Sequence, residues 1–490
     1  MRILQLNNYA DPVGGAEVYA LALTRELRQR GHVVAFLGTA PDREVDEEHL
    51  RVVRRPRYDP SLLSRDPSVR AALEDCVRRV RPEVIHVHNV YSLGVDVLEL
   101  LGTTRVPVVQ TVHDFNLLCP NSWCVLADGT ACPGGVGAKC FQHDCQKNYP
   151  YDAEVALYTL LRQRTLAATV DLALCPSRYL TDLTRKSGAR DVRHLNYFID
   201  PIASGRVGER KEKELVYIGR LEPEKGVEHL LEAMVLILRS DPSVHLTIVG
   251  GGALAGALTA QAERLRLAGA VTFLSHVPRD ELGRFYATAS GCVLPSIWSE
   301  NSPLVAHECL AAGLPMIASR IGGIPELVEE GQGGFTFNPR DARDLADKAL
   351  GLLALPAEER ARMSAAMQKR ALDFRAEPHV ARIEELYREV IRAGPGARDP
   401  SVHIDADLLA VLEKASRERA QLTALFHEHV GYIRNLELGL AEQRDGRVRE
   451  VEELGRALVE QRELVRALER RRPKELLRRL VRALPKLLRG

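Results

Sequence analysis

The feature that most constrains this chain is a pattern that occurs twice: a short apolar run, a glycine turn, then an amphipathic helix. The first copy is "RILQL" (2–6) followed by "GGAEVYALALTRELRQRGH", with Gly31 just past the helical stretch. Glycine at that place suits the left-handed backbone of a helix end. "VVAFLG", "VIHVHN" (84–89), "VPVVQTVHD" (106–114) and "DLALCPS" (171–177) continue the alternation as strands. After a polar linker, "IASGRVGERKEKE" (202–214), the pattern restarts with "LVYIGRL", "GVEHLLEAMVLILRS" and "VHLTIVGGG". "VTFL", "GCVLPS" and "MIASR" follow, each before a helical stretch, and "FRAEPHVARIEELYREVIR" (374–392) reads as a long helix closing this second unit. Strands alternating with helices pack as a parallel sheet covered on both faces. The expectation is an α/β chain of two doubly wound, Rossmann-like domains, 1–200 and 201–392, facing a cleft at the carboxyl ends of their strands.

A length of 490 residues accommodates two such domains and an additional segment. The formal net charge of +1 gives no global attraction to nucleic acid or membrane, and no nucleic-acid partner is expected. The N-terminal apolar run is short and alternating, with Asp11 soon after, unlike a signal peptide. No apolar stretch approaches the roughly 20 residues that span a bilayer. A cytoplasmic location follows, where thiols stay reduced, so the nine cysteines are not expected to form a disulfide framework.

"AGPGARDP" (393–400) reads as a boundary, and the composition changes beyond it. Leu412, Ala415, Leu422, Phe426, Ile433, Leu436 and Leu440 share a 3-4 spacing. The phase shifts near 441–450 and resumes at Val451, Leu454, Leu458, Val465 and Leu468. Residues 402–470 thus read as a long helix able to pair as a coiled coil, which would make a homodimer; a helix folded back on its own domain is the alternative. In the last twenty residues eight are Lys or Arg and only Glu475 is acidic, while Leu476, Leu477, Leu480, Val481, Leu484, Leu487 and Leu488 form one face. That is the signature of an interfacial helix on anionic lipid, which would make the protein peripheral on the inner face of the membrane; docking on its own protein is the alternative.

The motifs "GGAE" (14–17), "TVHD" (111–114), "GRLEPEKG" (219–226), "VGGG" (249–252), "SIWSENSPLVAHECLAAGLP" (296–315) and "GGIPE" (322–326) occur in that order. In order and spacing the chain resembles the family 4 retaining glycosyltransferases of the GT-B fold (glycosyl transferases group 1) over roughly residues 1–392. The resemblance implies a nucleotide-diphosphate sugar as donor and a glycan or lipid-linked acceptor in the synthesis of cell-surface polysaccharide or glycolipid.

Each piece also has a physical reading. A diphosphate needs fixed positive charge, and Arg220 and Lys225, between a strand and a helix, can supply it; a surface charge pair with Glu222 and Glu224 is the alternative. Gly14 and Gly15 let backbone approach a ligand where a helix N-terminus favours anions. Gly250 to Gly252 serve the turn and give backbone room. By resemblance, Glu308 accepts from the ribose diol, Glu300 with Asn301 and Ser302 holds the donor sugar, and His113 lies near the reaction centre; a structural histidine bonded to backbone is the alternative for His113. The usual family form has glycine and an aromatic residue after the first glutamate; here the sequence is "ENSP". His86 and His88 share one face of a strand, as a metal site or as satisfied structural histidines.

Asp405 and Asp407 form a DxD within the C-terminal segment, where a polar helix start explains them better than a metal site. Catalysis is therefore expected to need no cofactor, with Arg220, Lys225 and helix N-termini in place of a metal. By resemblance the reaction retains configuration at the front face. After His113 and Asp114, Cys119, Cys124, Cys132, Cys140 and Cys145 crowd into 119–145 with His143. Four thiolates suit a structural zinc on Cys119, Cys132, Cys140 and Cys145, with Cys124 and His143 as alternates; an iron–sulfur cluster and unliganded, redox-sensitive thiols are the other readings. Cys76, Cys175, Cys292 and Cys309 read as core. Two competing functions stand beside the transferase: a GT-B sugar-nucleotide epimerase or phosphorylase, and a non-catalytic coiled-coil scaffold.

Overall fold

The computed structural model describes residues 1–55, 65–119, 124, 126, 132, 152–198, 210–275, 277–278 and 281–396. Cys140, His143, Cys145, the 402–470 segment and the 471–490 tail lie outside the described residues.

The first half runs β1 (Arg2–Tyr9), α1 (Gly15–Gln29), β2 (Val33–Ala40), β3 (Val45–Asp46), β4 (Leu50–Arg54), α2 (Pro67–Val80), β5 (Val84–Val87), α3 (Gly94–Thr103), β6 (Val108–Thr111), α4 (Asp152–Thr169), β7 (Leu172–Cys175), α5 (Arg178–Lys186) and β8 (Val192–His194). These strands form one sheet in the order β3-β4-β2-β1-β5-β6-β7-β8. The short β3 is antiparallel to β4, and the other pairs are parallel. Ile3, Leu4 and Leu6 of β1 and Val84, Ile85 and Val87 of β5 are fully buried, as strands covered on both faces require. The strand order reverses between β1 and β5, which opens a crevice at their carboxyl ends.

The second half runs β9 (Glu214–Ile218), α6 (Val227–Ser240), β10 (His245–Val249), α7 (Ala255–Arg264), β11 (Val271–Leu274), α8 (Gly283–Thr288), β12 (Gly291–Leu294), α9 (Leu304–Ala312), β13 (Met316–Ser319), α10 (Ile324–Val328), β14 (Gly334–Phe337), α11 (Ala342–Leu353), α12 (Ala357–Ala371) and α13 (Ala376–Ala393). Its sheet is parallel throughout, ordered β11-β10-β9-β12-β13-β14, with the reversal between β9 and β12. This is the doubly wound order, and it puts the loops after β9 and β12 side by side. The turn after β10 needs glycine: Gly250 has φ +148°, and a Cβ there would overlap the Gly219 carbonyl. The glycines of "VGGG" thus let the loops after β9 and β10 lie in contact.

One helix is placed differently from the sequence-based expectation. The long helix α13 does not close the second domain. Its Val380, Ile383, Leu386, Tyr387 and Val390 share a core with Ile3, Leu23, Leu27 and Val84 of the first. The Tyr19 hydroxyl meets His379 Nε2 at 2.8 Å, and the Tyr387 hydroxyl meets His86 Nδ1 at 2.5 Å. The apolar stripe of α13 fits the face of the first sheet beside α1, so the helix returns from the second domain to the first as a strap.

Candidate active site

The two sheets bring the turns after β12 and β9 opposite the ends of β6 and β7. Gly226 ends the loop after β9 with φ +65°, and a Cβ there would overlap the Pro295 carbonyl after β12. Lys225 is thereby held against residues 296–300. Its Nζ lies 2.6 Å from Glu300 Oε1 and 5.2 Å from the centre of the Trp298 ring. Ser296 Oγ donates to the same Glu300 oxygen at 2.9 Å. Burial pushes the Glu300 carboxyl up, but the Lys225 charge and the hydrogen bonds outweigh it and hold it below the usual range. Glu300 is an anion fixed at a strand end, with an ammonium beside it.

Glu308 projects from α9 toward α8, where the buried Tyr286 hydroxyl donates to its Oε2 at 2.5 Å. Ser302 Oγ is bonded to His307 Nε2 at 2.7 Å within the same turn and helix. Asn301 points across the cleft: its Nδ2 donates to the His113 carbonyl at 2.8 Å, and Ser177 Oγ donates to its Oδ1 at 2.6 Å. Side chains 301 and 302 are thus engaged with protein. The first N–H groups of α9 have no partner within the helix and favour an anion or a hydroxyl oxygen.

Arg220 is set apart from this cluster. Its side chain is 65% exposed and pairs with Glu224 at 2.9 Å, while Tyr217 of β9 fixes its carbonyl at 2.6 Å. Contact with a diphosphate requires Arg220 to exchange that partner. On the opposite wall Gly14 precedes α1 and Gly15 begins it. A Cβ on Gly15 would meet the Leu304 side chain at 3.4 Å, so the glycine turn faces the start of α9. Glu17, one turn on, lies within 3.5 Å of Asn7 Nδ2, and burial pushes its carboxyl up.

His113 is buried, and both ring nitrogens have protein partners: His88 Nδ1 at 2.9 Å and the Tyr197 hydroxyl at 2.6 Å. Burial, and after it the nearby His86, pulls its pKa down to about 3, so the ring is neutral. His86 stacks on His88 at 4.3 Å and bonds Tyr387 and the Thr111 hydroxyl; it is a satisfied structural histidine. Among the described residues His88 Nε2 has no hydrogen-bond partner, and His88 lines a small cavity with Asn89, Asp114 and Arg162. Cys119, Cys124 and Cys132 are buried thiols, with the Cys132 N–H bonded to the Cys124 carbonyl at 2.8 Å. Among the described residues no three His, Cys, Asp or Glu side chains converge as a metal site.

Several of these partners had no signal in the sequence. Tyr286, Ser177 and Tyr197 belong to no motif, and only the chain's folding brings them to the motif residues.

Two Rossmann-like domains meeting across a cleft at their strand ends make the GT-B fold. A model of the glycosyl transferases group 1 matches residues 203–370, and one of glycosyltransferase family 4 matches residues 13–201. The chain is a glycosyltransferase of the GT-B fold, with a family 4 match in its first domain and a group 1 match in its second. It is 28% identical to the glycogen synthase of Mycobacterium tuberculosis over 431 residues, covering 82% of this chain and 97% of that protein. Identity to the D-inositol 3-phosphate glycosyltransferase of Corynebacterium jeikeium is 28% over 444 residues, covering 82% of this chain and 100% of that protein. The fold is similar to the sucrose-phosphate synthase of Thermosynechococcus elongatus, with TM-score 0.63 and 23% identity over 80% of this chain and 99% of that one. It is also similar to HepE of Anabaena, solved with UDP and glucose, with TM-score 0.59 and 19% identity over 80% of this chain and all of that one.

Proposed function

We propose that the protein transfers a sugar from a nucleotide-diphosphate sugar to a glycan or lipid-linked acceptor, with retention of configuration and without a catalytic metal. The observation that carries this reading is the Lys225–Glu300 pair at the strand ends of the second domain. Glu300 accepts from donor-sugar hydroxyls, and Lys225 is close enough to share itself with the diphosphate. Glu308, held by Tyr286, accepts from the ribose diol. The bond from the anomeric carbon to the β-phosphate oxygen breaks as the acceptor oxygen bonds on the same face. The acceptor proton passes to the departing phosphate oxygen, while Lys225, Arg220 and the α9 N-terminus stabilise the charge. HepE of Anabaena, solved with UDP and glucose, favours a uridine donor as the first to test.

The acceptor side is the first domain, and the product a cell-surface polysaccharide or glycolipid made at the cytoplasmic face. Among the described residues no helix is long and apolar enough to cross a membrane, so the 471–490 tail is proposed as the attachment and 402–470 as a homodimer contact. Zinc on the cysteine insert is proposed as structural only. Incubation with a panel of sugar nucleotides tests the function: release of one nucleotide diphosphate, faster with glycan or lipid-linked acceptor, is expected. Epimer formation without release would favour the epimerase, and no turnover with any donor would favour the scaffold.

A further inference from the structure

We propose that Asn301 is a positioning residue that latches the two domains closed and sets the donor-site glutamate against the acceptor wall. Its amide spans the cleft, with each end satisfied by the first domain. Nδ2–H donates to the His113 carbonyl at 2.8 Å, at the end of β6. Oδ1 accepts from the Ser177 hydroxyl at 2.6 Å, after β7. Ser177 is the N-cap of α5, and its Oγ also accepts the Leu180 N–H at 3.1 Å. The hydroxyl therefore has its proton directed at Asn301. All three residues are buried, Asn301 at 7%, Ser177 at 2% and His113 at 7% exposure.

A second set of bonds lies beside the first. Glu326 of α10 accepts the N–H groups of Arg178 at 2.7 Å and Tyr179 at 2.8 Å, so a carboxylate of the second domain sits on the N-terminus of a helix of the first. The Tyr179 hydroxyl lies 3.2 Å from Ser299 Oγ. Gly323 donates its N–H to the Glu300 carbonyl at 2.7 Å, which ties the Glu300–Asn301 turn to the segment bearing Glu326. Opening the cleft would break the bonds of Asn301 and Glu326 and the Tyr179–Ser299 contact together.

The side-chain chemistry is specific. The site offers a carbonyl to one end of residue 301 and a hydroxyl proton to the other. Only a carboxamide gives a donor and an acceptor at that spacing. Aspartate would keep the bond to Ser177 and set an oxygen against the His113 carbonyl. Glycine would reach neither. Asn301 is covalently next to Glu300, so the latch fixes the distance from the Lys225–Glu300 pair to the acceptor wall. A reaction that needs both substrates in contact depends on that distance steeply.

The proposal rests on the donor-site reading of Glu300 for its effect on turnover, but its structural part is tested independently. Hydrogen–deuterium exchange of the full-length protein reads the Arg178 and Tyr179 amides, which are protected only when Glu326 lies across the cleft. N301A and S177A are each expected to speed their exchange about tenfold, and the double variant by no more than either alone, since both break one latch. N301D is expected to behave as N301A. Calorimetry with UDP, GDP and ADP, using whichever binds, is expected to give affinities within twofold of the parent, while turnover falls at least tenfold. Unchanged exchange in both single variants, with native thermal melts, would overturn the latch. So would a loss of nucleotide affinity as large as the loss of turnover, which would place Asn301 on the donor. If no nucleotide binds the parent, the donor reading fails and the exchange result still decides the latch.

Discussion

Lys225 Nζ and Glu300 Oε1, 75 residues apart in the chain, lie 2.6 Å apart at the switch point of the second sheet. The pair is mostly buried, with side chains 18% and 10% exposed, so neither charge is well solvated without the other. Such a pair holds a carboxylate ionised in a place where burial alone would neutralise it. Replacing one partner leaves an uncompensated charge, a loss of about 3–5 kcal/mol in buried pairs. K225M is expected to lower the unfolding midpoint and abolish turnover. E300A is expected to cut turnover at least a hundredfold while changing free-nucleotide affinity less than tenfold. Calorimetry showing equal losses of both in E300A would contradict a sugar-holding role.

Glu308 is oriented by Tyr286 through a 2.5 Å bond. A hydrogen bond to a charged group contributes about 1.5–3 kcal/mol. E308A should therefore weaken nucleotide binding roughly tenfold to a hundredfold. Y286F should weaken it about fivefold, because the carboxylate remains but loses its anchor. Unchanged affinity in E308A would remove Glu308 from the ribose.

The strands were legible because parallel strands buried on both faces leave unbroken apolar runs, as in Leu172–Cys175 and Gly291–Leu294. The Glu300–Glu308 spacing was legible as a motif because one turn and one helix carry it. The latch was not, since Asn301 meets partners 124 and 188 positions away and no periodicity links them. The destination of α13 was hidden for a related reason. An amphipathic stripe says that a helix docks, and the sheet it docks on is chosen by the topology.

The cysteine insert leads to a metal prediction. Cys124 and Cys132 already lie in register through one backbone hydrogen bond at 2.8 Å. Protein purified without chelator is expected to carry about one zinc, the complement of a four-ligand structural site. Its removal should lower the thermal midpoint. Elemental analysis finding no metal would leave the thiols unliganded, and iron with visible absorbance would indicate a cluster.

A lipid-linked acceptor, as proposed, would require the enzyme to reach a membrane surface. Arg478, Arg479, Arg482, Lys486 and Arg489 border the leucine face of 473–490. Each contributes about 1 kcal/mol near an anionic surface, and pairing through 402–470 would add avidity. Full-length protein should co-sediment with anionic vesicles, less so as salt is raised. A chain ending at residue 470 should not, while it keeps its nucleotide affinity. Equal sedimentation of both would exclude the anchor.

The last prediction follows from the buried histidines. Burial pulls His113 and His307 down to about 3 and His379 to about 4, and His86 and His88 well below the ordinary value of 6.5. In the unfolded chain each takes a proton near 6.5; in the folded protein it does not until the pH is far lower. Between those values the unfolded state binds more protons, so stability rises with pH. The contribution is complete above about pH 6.5 and is lost as the pH falls toward 4. Each histidine that stays neutral subtracts about 1.4 kcal/mol per pH unit across that window. Asp96, which burial raises to about 6, and Glu17, also raised, work the other way, but they are two groups against five. The urea midpoint is therefore expected to fall steeply from pH 6.5 to 5, and H379Q, at the edge of the network, to reduce the slope by about one histidine's share. A midpoint that stays level between pH 7 and 5 would mean that these rings accept protons in the folded state, and with them that His113 does not sit neutral at the acceptor wall.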